Sequence, residues 1–218
     1  MIINRIVGLA GYHLFAGRFK DRFVAGSTLQ DAVDKAKFYK AKGEKSVINV
    51  LGEHAKDHNE ANKYCEQILE LIALLKKEGL EDVHIAEKPS QIGLDVSETL
   101  YRSNKLRILK SAAILLPHTL IETDAEDHSY REQVFRITTD LHKYFSNQLL
   151  CCQLNRFGTV QEIKMLRYHG IPMRICKGSA YGGDIKKEKD LRKVFLDILP
   201  IIISRAKTSA FATHDLFI

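Results

Sequence analysis

What the chain has little of narrows it first. Proline occurs four times and glycine thirteen times in 218 residues, too sparsely for collagen-like or long disordered segments. No apolar run approaches the roughly 18–20 residues that a bilayer-spanning helix needs. The opening stretch "MIINRIVGLAGYHLFAG" carries Arg5 early, but its apolar core is short and broken by His13. It is not expected to act as a secretory leader. The four cysteines, Cys65, Cys151, Cys152 and Cys176, include no C-x-x-C pair. Adjacent Cys151 and Cys152 read as small core residues, and the set suits a reducing, cytoplasmic compartment. No Lys/Arg block interleaves with aromatics, so nucleic acid is not an expected partner. The net charge of +6 is spread along the chain and would favour an anionic membrane surface.

What is present is an ordinary globular balance, 45% apolar and 28% charged, long enough to bury a sizeable core. The pattern alternates. "AGSTLQDAVDKAKFYKAKG" reads as a helix with Ser27 and Gln30 as its capping box, an apolar face of Leu29, Ala32, Val33 and Ala36, and Gly43 as its stop. "SVINVL" (46–51) reads as a buried strand, and "EANKYCEQILELIALLKKEG" as a longer helix with Ala61, Cys65, Ile68, Ile72 and Leu75 along one side. Further strands are expected at 82–88, 117–123, 148–154, within "IPMRICK", and at "SAFAT". Helices are expected near 96–111, over "SYREQVFRITTDLHKYF", near 159–168, and over "KEKDLRKVFLDILPIIISRAK", where Pro200 predicts a kink or break. Six strands separated by helices imply a parallel sheet. An open doubly wound sheet and a (β/α)₈ barrel both fit. The first strand lacks the Gly-rich turn of the open sheet, while polar residues at many strand ends suit a barrel. A barrel needs eight strands and six are read.

The carboxyl ends of the strands carry Gly52, Glu53 and His54; Lys88, Ser90 and Gln91; Glu122, Asp124, Glu126 and Asp127; Gln153; Arg174, Lys177 and Gly178; and Thr213 and His214. Several of these converging at one mouth would form a site. Each also has a plain reading: Lys88 as a solvated loop residue, the 122–128 acids as helix caps. His54 and His58 stand four apart and would share one side of a helix, which raises a metal-dependent hydrolase as an alternative. The H-E-x-x-H pattern and a third ligand are lacking, so no metal is expected. In "RICKGSAYGG", Arg174 and Lys177 bring positive charge and Gly178 permits close backbone approach, which suits a phosphate or a reduced, anionic flavin ring. It is not a Walker loop.

Taken together, "RFVAGSTLQDA" (22–32), "VLGEH" (50–54), "EKPSQIGLD" (87–95), "TDAEDHSY" (123–130), "RICKGSAYGG" (174–183) and "ATHD" (212–215) resemble the proline dehydrogenase family, in family order along nearly the whole chain. The resemblance implies a (β/α)₈ barrel of TIM type with FAD at the carboxyl ends of its strands. It implies oxidation of L-proline to Δ¹-pyrroline-5-carboxylate by hydride transfer from Cδ to the flavin, with electrons passed to a quinone or another acceptor. By that resemblance Lys88 lies near the proline carboxylate, and Asp124 and Arg174 flank flavin and substrate as the catalytic pair. Thr123 and Gln153 contact the isoalloxazine, and Lys177, Gly178, Ser179, Thr213 and His214 hold the cofactor. Ser179 is inserted before Ala180 and Tyr181, and Leu154-Asn155-Arg156 departs from the usual aromatic and basic residues after Gln153. Six of eight strands are read, so the expectation is an N-terminal helical arm (1–26) and an incomplete barrel (27–218). The strands beyond, with the paired arginines that bind the proline carboxylate, are not in this sequence. The expected partners are then a quinone, peripherally on the inner membrane face, and a homo-oligomer or a completing chain. The alternative is a non-catalytic remnant that needs such a chain.

Overall fold

A computed structural model describes residues 24–178, 183–203 and 209–213. The chain divides into two compact units, Met1–Ser46 and Val47–Ile218. The expected N-terminal arm lies almost wholly outside the described residues, which begin at Val24.

The first unit contributes helix α1 (Leu29–Lys40). Its capping box is real but sits one residue later than Ser27 and Gln30 suggest. Thr28 is the N-cap, its hydroxyl accepts from the Asp31 N–H at 3.1 Å, and the Asp31 carboxylate accepts from the Thr28 N–H at 2.9 Å. Aspartate has the shorter reach that closes this box, and it also accepts from the Ser27 N–H at 3.0 Å. Gly43, at φ +77, ends the segment.

The second unit alternates strand and helix: β1 (Val47–Asn49), α2 (His58–Lys77), β2 (His84–Glu87), α3 (Glu98–Leu115) and β3 (Ile121–Thr123), then a short 3₁₀ turn (His128–Tyr130) and α4 (Arg131–His142). β4 (Gln148–Gln153), α5 (Thr159–Tyr168), β5 (Met173–Cys176), α6 (Glu188–Ile203) and β6 (Ser209–Ala212) follow. All six strands pair in parallel in the order β1-β2-β3-β4-β5-β6. Consecutive parallel strands in sequential order exclude a doubly wound sheet, whose order reverses at a switch point. They are the arrangement of a β/α barrel.

The helices form where the apolar period and the caps coincide. α2 is capped by Asp57, whose side chain accepts from the Glu60 N–H at 2.9 Å, and it buries Ala61, Cys65, Ile68, Leu71, Ile72 and Leu75. Ser97 caps α3 by accepting from the Leu100 N–H at 3.1 Å. The helix then buries Tyr101, Ile108, Leu109 and Ala112 and packs against α2. Each such aliphatic side chain contributes about 1.5–3 kcal/mol by leaving water. α6 continues through Pro200 to Ile203, so no break occurs there. Its first fourteen described residues bury Leu191, Phe195 and Ile198, and this packing outweighs the backbone hydrogen bond that the proline removes. Among the described residues no helix is long and apolar enough to cross a membrane.

Alternation along the strands then decides the site. Ile85 and Glu87, Ile121 and Thr123, and Ile175 point to the helix layer, where α3 packs on β3. His84, Glu122, Asp124, Cys151, Gln153, Arg174 and Cys176 fall on the opposite, inner face.

Candidate active site

A continuous polar chain crosses the inner face from β1 to β5. Asn49 Nδ2 donates to Asp124 Oδ2 at 3.1 Å. The Arg174 guanidinium donates through one terminal nitrogen to Asp124 Oδ1. Its Nε lies 3.1 Å from Glu122 Oε2, an ion-pair contact off the hydrogen-bonding line. Glu122 Oε1 is 2.9 Å from His84 Nδ1. Arg174 therefore reaches from β5 across β4 to the two carboxylates of β3, with Cys151 as its register partner on the strand between. The Glu122 side chain is 2% exposed, whereas Asp124 and Arg174 are each 23% exposed and His84 is 21% exposed, so the buried carboxylate lies between partly exposed partners. Burial works against the charge of Arg174. Its neighbours Cys151, Asp124 and Glu122 outweigh that penalty, and the guanidinium holds its proton more tightly than usual. Asp124, Cys151 and Gln153 also line a cleft of about 560 Å³, counting space open to solvent, beside α4 and the start of α5.

Of the residues expected at the site, Asp124 and Arg174 are in direct contact, and Gln153 lies on the same face. Among the described residues no hydrogen bond engages the Gln153 side chain; its backbone carbonyl accepts from the Thr159 hydroxyl at 2.8 Å and from the Arg156 N–H at 3.4 Å. Lys88 stands at the end of β2 and donates to Glu53 Oε2 at 2.7 Å, and this hydrogen bond holds the Glu53 carboxyl below its usual range. Thr123 is elsewhere. It is fully buried on the helix side, where its hydroxyl donates to Glu87 Oε1 at 2.7 Å and accepts from Lys105. Lys177 also turns to the helix side, with Nζ 2.6 Å from Glu188 Oε2 at the start of α6. Gly178 sits at φ +74, and a Cβ there would meet Asn155 Cγ at 2.5 Å, so both the conformation and the space call for glycine. Thr213 follows β6 and is half-buried, while Ser179 and His214 lie outside the described residues.

The residues missed from sequence are those whose role depends on facing. Glu122 was visible as one acid among several. Only the two-residue step to Asp124 marks it as sharing that residue's face, and His84 needs the neighbouring register to be placed beside it. The histidine pair behaves differently from its spacing. α2 begins at His58, while His54 precedes it at φ +55, so the two do not share a helix face. Among the described residues no group of three or more His, Cys, Asp or Glu could hold a metal ion. His54 instead places Nδ1 2.8 Å from Asp95 Oδ2, and Tyr130 donates to the other Asp95 oxygen. Ser90 donates through N–H and hydroxyl to Glu126 at 2.7 and 2.6 Å.

The hydrogen bond to Asp95 raises the His54 pKa above its ordinary 6.5. A histidine raised in the folded state adds stability below its unfolded pKa and loses that contribution as pH rises through the folded pKa. An NMR titration is expected to give a His54 midpoint above 6.5 that returns to the ordinary range in Asp95→Asn. An unchanged midpoint in that variant would remove Asp95 as the cause.

Six sequentially ordered parallel strands, with a polar face that gathers charge at their carboxyl ends, define an incomplete β/α barrel of TIM type. The resemblance to the proline dehydrogenases is borne out across the chain. Proline dehydrogenase 1 of Bacillus subtilis subsp. natto is 29% identical over 199 residues, and that of Bacillus subtilis strain 168 is 28% identical; each alignment covers 89% of this chain and 64% of the relative. The chain thus spans about two thirds of the length of these curated relatives. Among solved structures, proline utilization A from Bdellovibrio bacteriovorus, inactivated by N-propargylglycine, matches 92% of this chain and 27% of its own at a TM-score of 0.76 and 16% identity. Proline utilization A from Corynebacterium freiburgense matches 98% of this chain and 26% of its own at a TM-score of 0.76 and 18% identity. No protein-family model matches the chain.

Proposed function

We propose that this chain is the larger part of a flavin-dependent proline dehydrogenase, oxidising L-proline to Δ¹-pyrroline-5-carboxylate with FAD as cofactor. The observation that carries the reading is the Asp124–Arg174–Glu122 cluster at the carboxyl ends of β3 and β5, in a chain similar to curated proline dehydrogenases over most of its length. The barrel segment would be 27–218, preceded by an arm over 1–26.

The inner face fits a flavin in its chemistry. Arg174 offers a fixed cation whose Nε has no hydrogen-bond partner among the described residues, and Gln153 offers a side-chain amide, while Gly178, packed against Asn155, would serve through its left-handed turn. The side chains of Thr123 and Lys177 fit less well, since both are engaged on the helix side; these positions would serve through backbone groups. FAD, when bound, supplies the two-electron acceptor for the hydride from proline Cδ. The chain's own residues do the rest. Asp124 holds the Arg174 fork in place, so that its charge faces the region where negative charge would grow during reduction. Lys88 would face the proline carboxylate, exchanging its contact with the exposed Glu53 for that of substrate. Ser179, Thr213 and His214 complete the proposed cofactor set. Electrons would pass to a quinone or another acceptor, and the net charge of +6 suits peripheral contact with an anionic membrane face.

Purified protein should carry the yellow flavin absorbance and reduce a redox dye when given L-proline. Colourless protein that takes up no added FAD and leaves the dye unreduced would refute the reading.

A further inference from the structure

β4 carries two adjacent cysteines, and alternation sends them to opposite faces. Cys152 points to the helices, 4% exposed, and burial pushes its thiol well above the ordinary range. Cys65 is enclosed between α2 and α3, its sulfur 3.8 Å from the Asn104 carbonyl and 3.6 Å from Arg107, and burial raises it to about 11. Thiols in such settings are inert. Cys151 and Cys176 are placed differently. Cys151 lies on the inner face, in register with Arg174, and Cys176 ends β5 on the same face, in register with Gln153. Their sulfurs are 3.3 Å apart, in S–H···S contact, and Cys176 is only partly buried whereas Cys151 is buried. The hydrogen bond from Cys151 holds the Cys176 thiol below its ordinary range against the opposing effect of burial, and the nearby Arg174 charge acts in the same direction. Asp124 faces the pair from β3 and opposes that effect.

We propose that Cys151 and Cys176 form a peroxide-sensitive dithiol that closes reversibly into a disulfide between β4 and β5. Cys176, as thiolate, attacks one oxygen of hydrogen peroxide. The O–O bond breaks, Cys176 becomes a sulfenic acid, and the departing hydroxide takes a proton from solvent to leave as water. Cys151 then attacks that sulfur, its thiol proton goes to the departing hydroxyl, and a second water leaves. The two sulfurs lose two electrons and the peroxide gains them. Closing from 3.3 Å to a bond of about 2 Å asks for a movement of little over 1 Å at the sulfurs. The pair is diagonal across the ladder, so the bond draws the end of β5 toward β4. That end carries Arg174 and the Lys177–Gly178 turn. A cross-link on a diagonal is under tension, and tensioned disulfides are the readily reduced, regulatory kind.

The test reads the thiols of the full chain and does not depend on the activity proposed above. Reduced protein, denatured in N-ethylmaleimide, should take four labels, one for each cysteine. Protein exposed to hydrogen peroxide, then catalase, should take two, weigh two mass units less before labelling, and regain four labels after dithiothreitol. Peptide mapping of the wild type should find one intrachain Cys151–Cys176 link. Cys152→Ala should still form it, and Cys151→Ala should not. Four labels after peroxide would overturn the proposal. So would a link made through Cys152 or Cys65, a link between two chains, or Cys176 sulfinic acid without a link.

Discussion

Arg174→Met is expected to lower L-proline-dependent dye reduction by about 10²–10³-fold, because preorganised charge aimed at a developing anion is worth that much in rate. The loss should fall on kcat more than on KM, since in the proposed site Arg174 faces the electrons arriving and not the bound carboxylate. Arg174→Lys should recover part of the rate only. Lysine keeps a positive charge but cannot reach Glu122 and Asp124 with two nitrogens of one planar fork. Arg174→Met should also cost stability. Glu122 is 2% exposed and would be left beside Asp124 with no cation between them. Leaving a buried charge uncompensated costs about 3–5 kcal/mol, and the contact that Asp124 and Arg174 keep with water sets the expected cost at the lower end. Steady-state kinetics with urea unfolding of the same preparations separates the two effects. A well-folded Arg174→Met protein with unchanged turnover would remove Arg174 from the chemistry.

The second large effect is expected on the other face of the sheet. Lys105 and Glu87 are both fully buried and lie 2.8 Å apart, with Thr123 bonded to each and the Tyr101 hydroxyl 3.5 Å from Glu87. Glu87 Oε2 has no hydrogen-bond partner among the described residues, so Lys105 is the charge that makes this carboxylate tolerable. Lys105→Met should lower the unfolding free energy by about 3–5 kcal/mol, the usual cost of breaking a buried pair from one side. The double variant Lys105→Met/Glu87→Leu should recover most of that loss, because no buried charge remains to be compensated. A urea-unfolding double-mutant cycle measures the coupling. Equal stability of the single and double variants would show that the pair does not act as a unit.

Much of the architecture was legible because the signals that set it are local. α2 and α3 combine an apolar period with a side-chain cap, α5 ends at Gly170, and all six strands lie inside the segments that their β-branched and apolar content marks. The caps themselves were harder to place. At α1 the residue that closes the box is Asp31 on Thr28, while the pattern of Ser27 and Gln30 offers an equally regular spacing. The site was legible as a list of strand ends but not as a surface. Thr123 and Asp124 are neighbours in the chain and belong to opposite faces, and so do Cys151 and Cys152. A motif quotes such residues together, whereas the pleat separates them. The Lys105–Glu87 pair gave no signal because a lysine in an amphipathic helix normally reaches solvent, and only the packing of α3 on β3 denies it that route.

The sequential order of the strands also bears on how the sheet is made. Among the described residues each of β2 to β5 pairs with the strand just before it and the one just after it, and every pairing is between consecutive strands. Loop-closure entropy is then met in small, similar steps, and the sheet can lengthen in the direction in which a ribosome delivers it. A sheet whose first strand lies in the middle must hold that strand half-paired until the last arrives. This one keeps an open edge at β1 and another at β6, and each is a side on which a neighbouring β/α unit would dock.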